Sequence, residues 1–197
     1  MNVQHNILSK LVFEKLKTAI FNFNTPWFLV EKSGYNIPNI TVTDSTRDYS
    51  WQHIVFSDSV PNSNLFDITD TAIRIALDNS NQTLSKIHRI RIGLITATNI
   101  PHVHGPHVDF SFEHMTGLIY LNDSDGDTIF YNEIYNPNVG LDSPDYYKSV
   151  LNKTVTVKEQ FTPRENTLVW FNGLQYHSST TPTTVNRRIV INFNYEN

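Results

Sequence analysis

From Pro106 to the C-terminus the chain is a succession of short apolar segments separated by turns, and no other feature limits its folding so strongly. Seven stretches read as strands: 107–112, 116–121, 128–131, 154–157, 167–171, 176–180 and 188–193. Pieces this short cannot bury their apolar side chains singly, and regular turns between them predict a β-sandwich or barrel. Composition agrees: Thr, Ile and Phe favour strands, and abundant Asn favours the turns between them.

The first half is more mixed. Ile7, Leu8, Leu11, Val12, Leu16 and Ile20 recur at helical spacing, with Lys10, Glu14, Lys15 and Lys17 mostly opposite. That pattern predicts a helix packed on the domain's own sheet. Pro26 to Val30 reads as an extended, well-buried segment, with Trp27 and Trp51 as core or loop anchors. Strand-like pieces at 40–43 and 51–56 sit among turn residues over 33–64. A second helix is expected over 70–77, ended by Asn79-Ser80-Asn81. Residues 84–96 alternate Ile90, Ile92 and Leu94 with His88, Arg89 and Arg91, which predicts a long strand with a solvent-facing basic edge. The whole reads as one domain over 1–197. Residues 1–83 form a helical and loop support region, and 84–197 form the barrel core.

Bulk properties remove several functions. The 197 residues contain no cysteine, which excludes disulfides, thiolate metal sites and cysteine nucleophiles and suits a reducing cytoplasm. Neither a secretion signal nor an apolar run of membrane-spanning length is visible, so a cytoplasmic location and no membrane partner are expected. The net charge of −4 argues against a nucleic-acid partner. The Asn-x-Ser/Thr triplets at Asn39, Asn81, Asn122 and Asn152 follow from the Asn- and Thr-rich composition.

The chemistry concentrates in a few side chains. His107 and Asp109 are two apart, so a strand would turn both to one face and Val108 to the other. His177 lies in a later strand candidate. Two imidazoles and a carboxylate on one face leave three positions of an octahedral Fe(II) open, the arrangement that suits iron oxygenases. Arg187 and Arg188 open the last apolar strand, and alternation lets only one of them point inward. An inward guanidinium implies an anion to meet it. Two further groups compete for metal. His102-Val103-His104 resembles the way cupins hold theirs, although Pro101, Gly105 and Pro106 make the stretch a loop. The acidic turn 122–127 lacks a bidentate Glu at the spacing a calcium loop needs.

These pieces together resemble the Fe(II)/2-oxoglutarate-dependent oxygenases, especially the prolyl-4-hydroxylase-like branch and its small phage and bacterial members. The resemblance rests on HVDFSFEHMTGLIYLN (107–122), DGDTIF (125–130), PRENTLVWFNGLQYHSS (163–179) and RRIVINFN (187–194), about half the chain. It implies a mainly β fold with N-terminal helices, built as a double-stranded β-helix, a jelly-roll or cupin-like barrel. It also implies His107, Asp109 and His177 as iron ligands. Arg188, Tyr120 and Thr116 are implied to bind 2-oxoglutarate, with Arg187 as the alternative to Arg188. Two departures from the family pattern stand out. Val190 replaces a serine in the last strand, and Asp125-Gly126-Asp127-Thr128 replaces the usual Gly-Gly-x-Thr turn.

The implied activity is a hydroxylase using Fe(II), 2-oxoglutarate and O2, with ascorbate as a stimulant, and releasing succinate and CO2. No separate protein acid or base is expected, because the chemistry is centred on iron. The substrate is expected to be peptidyl and prolyl-like, with small molecules as the other class, in the cytoplasm of a bacterial or virus-infected cell. Residues 44–64 and 132–150 are the expected substrate-facing loops, and 135–149 a loop or lid. Two rival readings are a cupin-type metalloenzyme and a non-catalytic jelly-roll module for binding or structure.

Overall fold

Alternation along single strands sets up three layers: helices, a large sheet and a small sheet. The computed structural model describes residues 1–31, 48–141 and 154–197. The elements run β1 (Asn2–His5), α1 (Lys10–Ile20), β2 (Phe28–Val30), β3 (Ser50–Ser57), β4 (Val60–Pro61), α2 (Phe66–Asn79), β5 (Lys86–Thr96) and β6 (Met115–Tyr120). They continue with β7 (Thr128–Ile134), β8 (Val157–Phe161), β9 (Thr167–Asn172), β10 (Gln175–Ser179) and β11 (Arg187–Glu196). The large sheet has the order β1-β9-β6-β11-β5-β3-β2, with β4 paired to β3, and the small sheet has the order β10-β7-β8. Every pairing is antiparallel. This is the mainly β architecture that the strand pattern predicts. Among the described residues no helix is long and apolar enough to cross a membrane.

β11 lies at the centre of the large sheet and reads with period two. Ile189, Ile191, Phe193 and Tyr195 join the core beneath the helices, together with Ile90 and Ile92 of β5, Ile119 of β6 and Leu168 of β9. The residues between them, Arg188, Val190 and Asn192, face a pocket on the other side. A second cluster on that side contains Leu118, Tyr120, Phe130, Val169, Phe171 and Val190. Slipping β11 by one residue would put an arginine and two asparagines beneath the helices, so both faces fix the register.

The helices supply the cover. In α1 the Ser9 side chain accepts a hydrogen bond from the Val12 N–H, so the helix starts after Ile7 and Leu8. The buried stripe keeps the expected Leu16 and Ile20 and takes Phe13 in place of Leu11, which is exposed. Ile7 and Leu8 are still buried, as part of the approach to the helix. α2 buries Thr69, Ala72, Ile73, Ala76 and Leu77, and Ser80 closes it as expected.

Three other expectations change. Residues 1–83 do more than support the barrel, because β1, β2, β3 and β4 all join the large sheet. Phe28 and Leu29 belong to an edge strand and are exposed, where burial was expected. Within the proposed loops 44–64 and 132–150, residues 50–57 and 132–134 are strand, and 135–141 carry no strand or helix. The piece expected at 40–43, and residues 142–149 of the expected lid, lie outside the described residues.

Gly117 pairs with Phe193 across β6 and β11, and a Cβ there would fall inside the buried Phe193 ring. A Cβ on Gly93 would meet Val190 at an ordinary 3.7 Å. Gly117→Ala is therefore expected to destabilise by about 1–3 kcal/mol, with Gly93→Ala costing clearly less. Urea midpoints of the two variants measure this, and equal midpoints would contradict the packing described.

Candidate metal centre

The segment before β6 carries His107 and Asp109. It is not the strand its alternation predicts. Pro101 and Pro106 bring no N–H to a ladder, and the segment pairs only through two isolated bridges, Val103 to Thr180 and His107 to His177. His107 N–H donates to the His177 carbonyl at 2.9 Å, and His177 N–H donates back at 3.0 Å. Val108 turns away to pack among Ile129, Tyr131 and Leu174. His107 and Asp109 thus still face one side.

The large sheet holds the Asp109 carboxylate. Its Oδ1 accepts from Arg89 Nη2 at 2.7 Å and Arg91 Nη2 at 3.2 Å. Its Oδ2 accepts from Asn192 Nδ2 at 3.2 Å and Asn194 Nδ2 at 3.0 Å. Arg91 is the cross-strand partner of Asn192, and Arg89 of Asn194. The Arg-x-Arg of β5 and the Asn-x-Asn of β11 therefore form one patch of four donors. The expected solvent-facing basic edge is corrected here: Arg89 and Arg91 turn inward because a buried carboxylate needs them. The Arg89 guanidinium is also covered by the Phe110 ring at 4.7 Å.

Each imidazole is held through Nδ1. His107 Nδ1 lies 3.0 Å from the Gly105 carbonyl, and His177 Nδ1 lies 3.2 Å from the Gln175 carbonyl. A carbonyl only accepts, so each Nδ1 carries the proton and each Nε2 presents a lone pair, the arrangement of metal-bound histidines. His177 Nε2 is buried with no hydrogen-bond partner and stands 4.0 Å from Asp109 Oδ2. The ligand atoms of His107, Asp109 and His177 all lie within 4.8 Å of one another. Cis ligands with bonds of roughly 2.1 Å sit about 3 Å apart, so small shifts close the group on an ion. Two nitrogens and one carboxylate oxygen suit a first-row divalent metal.

The protonation states fit. Burial pushes the His107 imidazole down to about 3, reinforced by His177. Burial lowers His177 likewise. Burial opposes charge on Asp109, but Arg89 and Arg91 override it and hold the carboxyl well below its usual range. The ligands are therefore ready for a cation at neutral pH.

The pocket has an anion-seeking end. Arg188 is buried, and its Nη2 donates to Thr128 Oγ1 at 2.7 Å. Its Nε has no partner, and among the described residues no carboxylate reaches ion-pairing distance of it. A buried guanidinium held only by a hydroxyl and an aromatic face calls for an anion. Tyr120 supplies that face at 5.5 Å, and its hydroxyl bonds Thr128 Oγ1 at 2.7 Å. Arg187 is exposed and stacks on Phe21 at 5.1 Å, so Arg188 is the inward member of the pair.

Thr116 does not join this end. Its Oγ1 accepts from Asn194 Nδ2 at 3.1 Å, beside Asp109. Four residues along β6 separate it from Tyr120, roughly 13 Å. Thr128 occupies the place expected of Thr116. Its signal was the threonine of the Asp-Gly-Asp-Thr turn. Trp51, expected as an anchor, lines the pocket with Ser50 and Gln52. His107, His177, Arg91 and Arg188 line the same pocket, so the two imidazoles and the Arg188 guanidinium share one cavity.

His102 and His104 do not replace His107; they gather with Asp48 in a separate group. The acidic turn is tied internally. Asp125 accepts three hydrogen bonds from Thr183 and Thr184, and Asp123 accepts from Glu165 N–H.

No family model matches the chain, and no curated protein does. Solved structures do match. An oxidoreductase of the 2OG-Fe(II) oxygenase family from Burkholderia pseudomallei is 13% identical, with 98% of this chain and 82% of that one covered at a TM-score of 0.59. A Trichoplax adhaerens prolyl hydroxylase in complex with a hypoxia inducible factor peptide fragment is 11% identical, covering 98% and 82%, at 0.55. The epimerase SnoN, in complex with Fe3+, alpha ketoglutarate and nogalamycin RO, is 12% identical, covering 99% and 78%, at 0.61. The chain has the double-stranded β-helix fold of the 2-oxoglutarate oxygenases.

In this double-stranded β-helix the paired sheets bring together residues that the sequence scatters. His177 comes from β10 of the small sheet, Asp109 is fastened to β5 and β11 of the large one, and His107 bridges to the small sheet. The four donors on Asp109 escaped sequence reading because period-two alternation cannot tell an inward polar face from a solvated one.

A pH dependence follows for the metal-free protein. His107 and His177 have folded-state pKa values below the unfolded value near 6.5. Their contribution is present above that value and is lost as pH falls toward about 3 for His107. Asp109 acts in the same direction at lower pH. The urea midpoint should decline steadily from pH 7 to pH 4.5, and more gently in His177→Gln. A midpoint unchanged between pH 7 and 5 would contradict the buried, neutral imidazoles.

Proposed function

We propose that the chain is an Fe(II)- and 2-oxoglutarate-dependent oxygenase that hydroxylates its substrate. The observation that carries this reading is one pocket lined by His107 and His177, which gather with Asp109, and by the buried Arg188, which no carboxylate among the described residues reaches at ion-pairing distance. His107 Nε2, Asp109 Oδ2 and His177 Nε2 hold the iron. Arg188 takes the distal carboxylate of 2-oxoglutarate with Thr128 beside it, while Tyr120 braces Thr128 and the guanidinium from behind. Bound iron and 2-oxoglutarate supply activation of O2 with release of succinate and CO2, and ascorbate is expected to stimulate turnover. The chain's own residues orient the co-substrate, keep the ligands deprotonated toward the metal and shield the cavity between the sheets. Val190 leaves the pocket without the serine hydroxyl of the family pattern, so the anion's hydrogen bonds fall on Arg188 and Thr128.

Our first choice of substrate is a peptidyl, prolyl-like residue. The sequence resemblance to the prolyl-4-hydroxylase-like branch supports it, as does the similarity to the Trichoplax prolyl hydroxylase solved with a peptide fragment. The small-molecule reading is kept because SnoN, of the same fold, was solved with nogalamycin RO. The absence of cysteine suits work in a reducing cytoplasm.

Succinate release with Fe(II), 2-oxoglutarate and a panel of proline-rich peptides, free amino acids and small metabolites tests both levels. His107→Ala and Asp109→Ala should each abolish release, and full turnover in either overturns the ligand assignment. Arg188→Ala should raise the half-saturating 2-oxoglutarate concentration by roughly tenfold or more, the value of a lost charge-assisted bond. Arg187→Ala should leave it nearly unchanged, and the reverse order would reassign the anion site. Stimulation by peptides supports the peptidyl substrate, and stimulation by small metabolites alone replaces it.

A further inference from the structure

The metal centre leaves two of the chain's histidines in a group of their own. His102 and His104 lie in the segment leading to His107, and that segment is stitched to the residues following β10. His102 N–H donates to Thr181 Oγ1 and Thr181 N–H to the His102 carbonyl, each at 2.9 Å. His104 N–H donates to the Ser179 carbonyl at 2.9 Å, and Val103 bridges Thr180. The backbone is extended there, so residues 102 and 104 share a face and their rings lie 5.5 Å apart. Asp48 arrives from the approach to β3, with Oδ1 2.7 Å from His102 Nε2.

We propose that Asp48, His102 and His104 form a second divalent-metal site, structural in role. One ligand atom from each of the three lies within 4.8 Å of the others, the same compactness as the group at His107. Asp48 and His104 are buried, at 3% and 1% exposure, while His102 is partly open and gives the ion a way in. His104 Nδ1 is held against Ser179 Oγ at 3.0 Å, an outer partner of the kind that orients a metal-bound imidazole through its Nε2. Two imidazoles and a carboxylate, with no sulfur, fit zinc(II) or a similar ion, with water in the fourth position. Such an ion would clip the start of β3 to the loop carrying His107, three residues past His104. Nothing in this proposal depends on oxygenase chemistry.

Metal stoichiometry decides it. Untagged, chelator-stripped protein is titrated with zinc(II) against a chromophoric competitor. The expected result is two equivalents in the natural protein, one in His107→Ala/Asp109→Ala, and one in Asp48→Asn/His102→Asn. The same number of equivalents in the natural protein and in Asp48→Asn/His102→Asn overturns the second site, whatever the centre at His107 binds. Should either variant fail to fold, anomalous scattering at the zinc edge from zinc-loaded crystals of the natural protein gives the answer. A peak among Asp48, His102 and His104 supports the site, and a peak only at His107, Asp109 and His177 overturns it.

Discussion

The burial of one carboxylate organises this molecule. Asp109 has a side chain only 2% exposed, and an ionised carboxylate in that position would cost several kcal/mol without partners. Arg89, Arg91, Asn192 and Asn194 meet it with four hydrogen bonds. Because these donors alternate along two neighbouring strands, their convergence depends on the β5–β11 register. That register in turn depends on Ile90, Ile92, Ile189, Ile191 and Phe193 filling the core on the opposite face. Core packing and site geometry are thus two sides of one sheet.

The electrostatics extend from the same point. Two guanidiniums and one carboxylate make the centre cationic before any metal arrives, and Arg188 adds charge at the far end of the cavity. A divalent ion alone is held against that field, while an anionic chelator bound beside it is favoured. The cavity is lined by His107 and His177 and by Arg188 and Thr128, with Tyr120 packed against the last two. At identities of 11–13% to the structures compared, it is this layered topology that is shared.

Much of this was legible in the sequence, and the reasons differ by element. β11 was plain because Ile189, Val190, Ile191 and Phe193 form an apolar, β-branched-rich run bounded by Arg188 and broken only by Asn192. Alternation showed that only one of Arg187 and Arg188 could turn inward, but not which; the burial of Arg188 and the exposure of Arg187 decide it. In α1 the expected stripe holds at Leu16 and Ile20 and fails at Leu11, because the helix begins at the Ser9 cap and turns Phe13 inward in its place. His107 and Asp109 face one side as alternation predicts, but the segment pairs through isolated bridges and not as a strand. Thr116 and Thr128 could not be told apart by strand spacing, since placement depends on which end of the sheet faces Arg188. Arg89 and Arg91 looked like a solvated edge because their partner, Asp109, is held by contacts between β5 and a distant loop. Pairing of that kind has no local signature.

A crystal structure grown without oxygen, in the presence of Fe(II) and 2-oxoglutarate, tests the central claim most directly. The account predicts one iron bonded to His107 Nε2, Asp109 Oδ2 and His177 Nε2, with Arg89 and Arg91 still on Asp109 Oδ1 and the co-substrate's distal carboxylate on Arg188. Iron bound elsewhere, with Asp109 closed on its four donors and Arg188 away from any anion, would contradict it.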